Sequence, residues 1–175
     1  MKFEPLGKKT VYQGRAFSVA QVEARLPNGN TRSFDLVEHV DSVTVIPLDD
    51  SGRILFVRQY RLGAEDLLLE LPAGVQDAGE DPLTCAAREV REETGLAARE
   101  LKELGQYYLA PGYSSEKMVA YLATGLYPSA LEADEDEFIE TQAIAVSEVY
   151  AMAARGEIQD GKSLAALLLA RPHLF

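Results

Sequence analysis

The sequence contains no tryptophan, one cysteine and two histidines among its 175 residues. Without tryptophan, no indole ring is available to stack on a ligand. The single cysteine, Cys85, cannot form a disulfide bond within the chain, which agrees with a reducing compartment and predicts a buried thiol. His39 and His173 stand alone in the sequence and lack the spacing of metal ligands, so we assign them no function.

Basic residues are scarce, since 17 lysines and arginines face 28 aspartates and glutamates, giving a net charge of −11. Nucleic acids and anionic membranes bind clustered basic side chains, so neither is expected as a partner. The sequence also lacks an apolar run near the roughly 20 residues that cross a bilayer, and its start, 1–5, lacks the apolar core of a signal peptide. We therefore expect a cytoplasmic protein. Small anionic substrates remain compatible with the net charge, because a divalent ion held by carboxylates can present positive charge to a phosphate.

The length and a hydrophobic content of 47% suit one globular domain over 1–175 with a sizeable core. Within that domain, 1–40 reads as an N-terminal hairpin region and 41–175 as a catalytic core. Two strand-like segments, 17–26 and 31–37, flank the turn residues 27–30. Runs of β-branched and other apolar residues predict further strands over 42–48, 53–60, 67–71, 105–109, 118–123 and 144–146.

The clearest predicted helix begins after Asp81, an N-cap residue, with Pro82 at its first position and Gly95 as its terminator. Residues at helical spacing along it are Leu83, Ala87, Val90 and Thr94. Two more helices are predicted near 147–156 and 163–170. On the second of these, the residues expected to face inward are Leu164, Leu167 and Leu168.

Three glutamates lie within little more than one turn of the Asp81 helix. Glu89 and Glu93 are four residues apart, so their carboxylates share a face and repel each other. Mg²⁺ selects such oxygen-rich sites and takes one or two carboxylates together with waters and substrate phosphates. For a bare pair of glutamates, a solvated acidic face paired with Arg88 and Arg91 is the simpler interpretation. The wider pattern favours a metal site.

That pattern runs from Gly74 through Glu80 to the cluster 88–93 and ends at Gly95-Leu96. Its spacing resembles the Nudix box at each defining position, and the strands and helices around it resemble the same family. The resemblance implies an α/β fold, a Nudix-type α/β/α sandwich with a mixed sheet and an N-terminal antiparallel hairpin. Within the family, the chain most resembles the ADP-ribose pyrophosphatases.

The family resemblance implies a role for each matching residue. Glu89 and Glu93 would hold Mg²⁺ together with the Ala73 carbonyl, with Glu92 nearby. Two or three ions are expected, and Mn²⁺ could substitute. Arg88, paired with Glu80, would support the catalytic site by fixing the helix against the preceding loop.

Hydrolysis of a diphosphate by water also needs a base. In the ADP-ribose branch this base is commonly a glutamate on a loop outside the box, and the acidic stretch 132–140 occupies the corresponding region. Glu137 is our first choice and Glu135 our second, although most carboxylates of this stretch are ordinary solvated side chains. A base inside the box, Glu92 or Glu93, is the rival.

The substrate class rests on residues outside the box. Pro111, in the loop 110–116, lies fifteen residues beyond Leu96, a placement that resembles the same subgroup, as do the stretches 57–61 and 156–160. Arg61 would bind the diphosphate or the nucleotide through paired N–H donors, whereas its simplest interpretation is a surface arginine. The residues predicted to contact substrate are Arg61, Phe34, Pro111, Gly112 and Glu116.

Related enzymes are often homodimers whose N-terminal hairpin crosses to the partner and stacks an aromatic ring on the adenine. Phe34 is our candidate for that ring, with Phe17 or a tyrosine as a substitute. The predicted reaction is Mg²⁺-dependent hydrolysis of ADP-ribose to AMP and ribose 5-phosphate. Other nucleoside diphosphate sugars, such as GDP-mannose or ADP-glucose, are the alternative substrates. A non-catalytic ADP-ribose-binding regulator is opposed by the intact box and by the absence of a DNA-binding module.

Overall fold

The computed structural model describes residues 2–131 and 139–175, which form twelve strands and three helices. The strands of the first half are β1 (Glu4–Gln13), β2 (Ser18–Arg25), β3 (Thr31–Glu38), β4 (Ser42–Pro47), β5 (Arg53–Arg61), β6 (Asp66–Glu70) and β7 (Ala73–Val75). The remaining elements are α1 (Pro82–Thr94), β8 (Leu96–Ala97), β9 (Glu100–Tyr108), β10 (Lys117–Thr124), β11 (Tyr127–Pro128), β12 (Glu140–Ala145), α2 (Val146–Ala154) and α3 (Gly161–Leu174).

The chain divides into two compact units. The first comprises Met1–Asp41 and Tyr108–Lys117, and the second comprises Ser42–Tyr107 and Met118–Phe175. The predicted single domain over 1–175, with a hairpin region over 1–40 and a catalytic core over 41–175, stays a prediction.

The first unit is built on an antiparallel sheet in the order β1-β2-β3. The predicted hairpin is confirmed as β2 and β3, joined by a turn in which Gly29 has φ 85° and Asn30 N–H donates to Asn28 Oδ1 at 3.1 Å. Strand β1 was not predicted. It pairs with β2 through two register shifts, and all ten of its residues are exposed, so it lacks the alternating apolar pattern that signals a strand.

The second unit contains a mixed sheet in the order β7-β4-β10-β9. Strands β4 and β10 run parallel, with Ser42 opposite Met118, while β7 is antiparallel to β4. A second, antiparallel sheet has the order β12-β5-β6. Strand β7 was not predicted, because Pro72 and Gly74 indicated a loop where a three-residue strand forms.

Alternate side chains of β4 and β10 enter two separate cores. The core against α1 contains Val43, Val45, Cys85, Ala86, Val90, Val119, Tyr121 and Ala123. The other core joins the two sheets to α2 and α3 and contains Ile46, Ile54, Phe56, Leu69, Leu71, Ala120, Leu122, Ile144, Val149, Ile158, Ala166, Leu167 and Ala170. Helices therefore cover both faces of the mixed sheet, which confirms the α/β/α sandwich.

Two predicted helix faces were wrong in detail. On α3 only Leu167 of the three predicted leucines is buried, since Leu164 is 38% and Leu168 is 70% exposed. Leu167 shares the buried face with Ser163, Ala166 and Ala170, which follow the helical spacing more closely. On α1 Leu83 is exposed, and the core face instead runs through Cys85, Ala86 and Val90. No helix in the described parts of the chain has both the length and the apolarity to cross a membrane.

Candidate active site

Helix α1 is held at both ends by its predicted caps. Asp81 Oδ1 accepts hydrogen bonds from the N–H groups of Leu83 and Thr84 at 3.0 and 3.1 Å. Gly95, with φ 72°, closes the other end by donating its N–H to the Arg91 carbonyl at 3.0 Å. An N-cap of this kind stabilises a helix by about 1 kcal/mol. The caps fix the register of α1 and so the directions of its glutamates.

Glu89 and Glu93 lie on the buried face of α1, only 7% and 6% exposed. The prediction that they share a face is therefore confirmed. Two carboxylates buried at this spacing raise the free energy of the folded state, because each loses water and each repels the other. A cation bound between them would remove that cost.

The backbone of β7 lies directly against one of these carboxylates. A Cβ atom added at Gly74 would lie 1.9 Å from Glu89 Oε1 and 2.0 Å from Glu89 Cδ, so any larger residue would displace this carboxylate. Strand β7 is fixed in turn by antiparallel pairing with β4, in which Ala73 lies opposite Thr44. The strand that carries the predicted carbonyl ligand, Ala73, therefore borders the Glu89 carboxylate.

Arg88 connects the helix to the loop before it. Its Nε and Nη2 donate to both Glu80 carboxylate oxygens, at 3.1 and 2.9 Å, and Nη2 also donates to the Val75 carbonyl at 3.1 Å. Its Nη1 donates to Glu89 Oε1 at 2.6 Å and to Glu92 Oε2 at 2.9 Å. One guanidinium thus holds three box glutamates, in the supporting position that the sequence predicted.

These hydrogen bonds shift the protonation equilibria of both partners. The Arg88 guanidinium lowers the pKa of Glu80 to about 2, an effect larger than that of burial, which acts in the opposite direction. The same pairing, chiefly with Glu80, raises the pKa of Arg88 above its ordinary value. Burial, together with the charges of Glu89 and Glu80, raises the pKa of the Cys85 thiol to about 12. Arg88 and Glu80 therefore stay charged near neutral pH, and the thiol stays protonated.

The donor set fits a hard divalent cation. Glu89 and Glu93 are both buried, and Glu89 borders the backbone of β7. Oxygen donors of this kind suit Mg²⁺ better than softer metals. Residues 2–131 and 139–175 contain no group of three acidic, histidine or cysteine side chains placed to hold an ion alone. Mg²⁺ commonly takes only one or two carboxylates and fills its remaining positions with waters and substrate phosphates.

Arg61, the predicted substrate-binding arginine, lies at the end of β5 in the same unit as the box. Its Nε and Nη2 donate to Glu70 Oε1 and Oε2 at 2.8 and 2.7 Å. The hydrogen bonds to Glu70, opposed by burial, raise the pKa of Arg61, and the negative charge of Glu93 contributes in the same direction, so one box carboxylate lies within electrostatic reach of the guanidinium. The structure therefore brings Arg61 near the site and anchors one edge of its guanidinium.

The other predicted substrate residues belong to the first unit. Phe34 is 39% exposed on β3, with its ring centroid 5.7 Å from that of Phe3. Pro111 and Gly112 lie in a turn in which the N–H groups two and three residues after Pro111 donate to the Ala110 carbonyl. Glu116 Oε1 lies 3.7 Å from His39 Nδ1. Glu137 and Glu135, the two candidates for the base, lie outside the described residues.

The sequence reasoning missed a buried charge cluster beside Arg61. Glu70 is 1% exposed and pairs with Lys162, which also lies 3.0 Å from Asp160. Glu70 precedes the box by only a few residues, but Lys162 lies far away along the chain, on α3. The one available signal was a lysine directly before a predicted helix, where a positive charge is unfavourable.

Buried carboxylates on a capped helix, a close-packed glycine strand and a nearby arginine suit an α/β hydrolase that acts on phosphate compounds. A model of the NUDIX domain matches residues 38–167. The chain belongs to the Nudix family and is a Nudix hydrolase. Enzymes of this family generally use a divalent metal such as Mg²⁺.

Characterised relatives are similar over nearly the whole chain. The chain is 31% identical to an ADP-ribose pyrophosphatase of Bacillus subtilis (strain 168), over 93% of this chain and 89% of that protein. It is 38% identical to an ADP-ribose pyrophosphatase of Mycobacterium tuberculosis (strain ATCC 25618 / H37Rv), over 95% and 82% of the two chains. A crystal structure of an ADP compounds hydrolase superposes with a TM-score of 0.89 at 29% identity, covering 99% of this chain and 95% of the other.

Proposed function

We propose that this enzyme hydrolyses the diphosphate bond of ADP-ribose, with Mg²⁺ as cofactor, giving AMP and ribose 5-phosphate. The observation that carries the proposal is the packing of Glu89 against Gly74, with Glu93 one turn further along the same buried face. Similarity to two ADP-ribose pyrophosphatases, over 93% and 95% of this chain, supports ADP-ribose as the substrate.

In this proposal Glu89, Glu93 and the Ala73 carbonyl hold two or three divalent ions, Mg²⁺ or Mn²⁺. Such ions offset the negative charge of the diphosphate as it develops and lower the pKa of attacking water. Arg88 keeps the Glu89 and Glu92 carboxylates in fixed positions through its hydrogen bonds. Because Arg88 stays protonated and its planar donors match two carboxylates at once, lysine would not replace it.

Glu137 accepts the proton of the attacking water in this proposal, with Glu135 as second choice and Glu92 as the base inside the box. Glu92 Oε2 accepts a hydrogen bond from Arg88 Nη1 at 2.9 Å, and the same nitrogen donates to Glu89. A carboxylate engaged in this way is less free to turn toward an attacking water, which favours a base outside the box.

In the proposal, Arg61 binds the diphosphate through the edge of its guanidinium that Glu70 leaves open. Phe34 stacks on the adenine, and Pro111, Gly112 and Glu116 are further substrate-binding residues. An exposed aromatic ring such as Phe34 suits a stacking role, because it presents an apolar face without needing to leave a core.

We also propose a homodimer formed through the N-terminal sheet. Every residue of β1 is exposed, and the strand is an edge of its sheet. Large apolar side chains are exposed on and near it, namely Phe3, Leu6, Val11, Tyr12, Phe17 and Phe34. Apolar surface on an edge strand is commonly covered by association. Light scattering during size-exclusion chromatography tests this directly, and a monomeric mass would contradict it.

Product analysis tests the proposed reaction. The enzyme is incubated with ADP-ribose, GDP-mannose, ADP-glucose, NADH and a dinucleoside polyphosphate, first with Mg²⁺ and then with a chelator. AMP and ribose 5-phosphate formed fastest from ADP-ribose, and only with the metal, is the expected result. Faster cleavage of another sugar nucleotide would support the proposed reaction but assign it a different substrate. Binding of ADP-ribose without any metal-dependent cleavage would contradict the proposed reaction and favour a regulator that binds ADP-ribose.

A further inference from the structure

Four charged side chains form a connected cluster beside the box, which we call the Glu70 cluster: Arg61, Glu70, Asp160 and Lys162. Both Arg61 and Lys162 donate to Glu70 Oε2, and Arg61 also donates to Oε1. Lys162 lies 3.0 Å from Asp160 Oδ2 as well. The cluster thus joins the end of β5, the end of β6 and the first turn of α3 within one compact unit.

The start of α3 is tied firmly to β6 around this cluster. Leu71 N–H donates to Ser163 Oγ at 2.7 Å, and Ser163 Oγ donates to Asp160 Oδ2 at 2.5 Å. The Tyr107 hydroxyl donates to the Lys162 carbonyl at 2.9 Å. Ser163 is fully buried and Lys162 is 9% exposed. The ammonium group therefore has a fixed place, and little water reaches it.

A lysine at position 162 would by itself lower the stability of the folded protein. A cation in the first turn of a helix opposes the helix dipole, and a buried ammonium loses its hydration. Glu70 and Asp160 offset these costs. Because Lys162 and Arg61 both donate to Glu70 Oε2, the carboxylate is fixed from two sides. It therefore does not rotate when the Arg61 side chain moves.

The fixed position of Glu70 determines which edge of the Arg61 guanidinium remains available to a ligand. Glu70 binds the Nε and Nη2 edge of the guanidinium, and within the described parts of the chain Nη1 makes no hydrogen bond. The side chain is 42% exposed, so this open edge reaches solvent. Lys162 also neutralises part of the negative charge of Glu70. The electrostatic potential at Arg61 is therefore more positive than in a simple Arg61–Glu70 pair, which favours the binding of an anion.

We propose that Lys162 is a positioning residue for substrate binding: through Glu70 it fixes the Arg61 guanidinium with its open edge toward the diphosphate. Lys162 does not touch the substrate in this scheme. The inference rests on the proposed function, because it takes Arg61 to bind the anionic part of a nucleoside diphosphate sugar. It adds that a residue of α3 controls how well Arg61 does so.

The test is a double-mutant cycle on the intact enzyme, measured as KM and kcat for ADP-ribose with saturating Mg²⁺. Lys162→Met removes the charge and keeps the length of the side chain. We expect a rise in KM of about tenfold, with kcat within about twofold of the wild type, because binding rather than the chemical step is weakened. Lys162→Arg restores the cation and should bring KM back to within about threefold of the wild-type value.

The second arm of the cycle separates positioning from a structural role. In an Arg61→Ala background, where KM is already raised, Lys162→Met should change KM by less than about twofold. Lys102→Met, which removes an exposed lysine of β9, is the matched control and should leave KM unchanged. If Lys162→Met does not fold, Lys162→Gln carries the same test, because its amide can donate to Glu70 without charge.

Three results would overturn the inference. These are an unchanged KM in Lys162→Met, an equal rise of KM in the presence and absence of Arg61, and a fall in kcat with a lower Tm at constant KM. Failure of the proposed function appears earlier, in the wild type, as no cleavage of ADP-ribose. The cycle is then measured with the sugar nucleotide that is cleaved fastest or, if none is cleaved, as the Kd for ADP-ribose. Absence of binding would overturn both proposals.

Discussion

The carboxylate of Glu89 fills the space that a side chain at Gly74 would need, with Glu89 Oε1 1.9 Å from the position of an added Cβ. Gly74 has no positive φ, so the requirement for glycine comes from this contact rather than from backbone strain. The glycine and the glutamate are therefore one structural unit, although fourteen residues separate them in the Nudix box.

Gly74→Ala should displace the Glu89 carboxylate and lower kcat/KM by about 100-fold or more, because a ligand of the proposed metal site moves. The loss of stability should be modest, about 1 to 3 kcal/mol, since the clashing atoms are at the end of a side chain. Gly63→Ala, where an added Cβ meets no atom within 4 Å, is the control. Wild-type kcat/KM in Gly74→Ala would contradict the assigned role of Glu89.

Glu93→Gln should abolish turnover while leaving the fold intact. The substitution removes one of two buried carboxylates that repel each other at helical spacing, so the metal-free protein should unfold at the same Tm or slightly higher. Mg²⁺ should stabilise the wild type against heat and have little effect on the variant. Thermal unfolding with and without Mg²⁺, beside steady-state kinetics, checks both points. An active Glu93→Gln variant would remove this residue from the metal site.

Glu137→Gln tests the proposed base. If Glu137 accepts the proton of the attacking water, kcat should fall by about two to four orders of magnitude with little change in KM. Glu135→Gln is the matched control on the same acidic stretch. Near-normal turnover in Glu137→Gln, with a loss in Glu135→Gln, would reassign the role to Glu135. Normal turnover in both would return it to the box.

Glu80 should make the stability of the enzyme depend on pH in acid. Arg88 lowers the pKa of Glu80 in the folded protein to about 2, below its ordinary value of 4.5. The stabilisation is therefore complete above pH 4.5 and is lost as the pH falls toward 2, because the unfolded chain binds the proton first. In urea unfolding, the difference between the wild type and Glu80→Gln should shrink across that range. A difference that stays constant with pH would show that this ion pair does not titrate as described.

The Cys85 thiol should react slowly in the folded enzyme. Its pKa is raised to about 12 by burial and by neighbouring carboxylates, so only about one molecule in ten thousand carries the thiolate at pH 8. A disulfide reagent should label the native protein over hours and the urea-unfolded protein within minutes. Fast labelling of the native protein would mean that this face of α1 opens readily to solvent.

The sequence predicted α1 and the shared face of its glutamates because the signals are local. Asp81 and Gly95 act as caps within one chain segment, and the spacing of Glu89 and Glu93 alone places both on one face. Strand β1 could not be predicted in this way, because its residues are all exposed and its conformation depends on pairing with β2. Local pattern decides an element only where one face of it is buried.

The Glu70 cluster shows the same limit within the site. Glu70 reads as the polar end of an apolar strand, and Lys162 reads as a surface lysine at a helix start. Their pairing follows from the packing of α3 against β6, which connects residues distant in sequence. The outward positions of Leu164 and Leu168 have the same origin, since the packing surface rather than the hydrophobicity of each leucine decides which face of α3 is buried.

The parallel pairing of β4 with β10 also determines when the enzyme can fold. Ser42 pairs with Met118, so the central strands meet only after a long stretch of chain has been ordered. Contacts so distant in sequence slow folding, because the entropy of loop closure is lost before the pairing is gained. During synthesis the apolar side chains of β4 must wait for β10 to leave the ribosome. The nascent chain is thus open to aggregation over that interval, and chaperones that bind extended apolar segments have their greatest effect there.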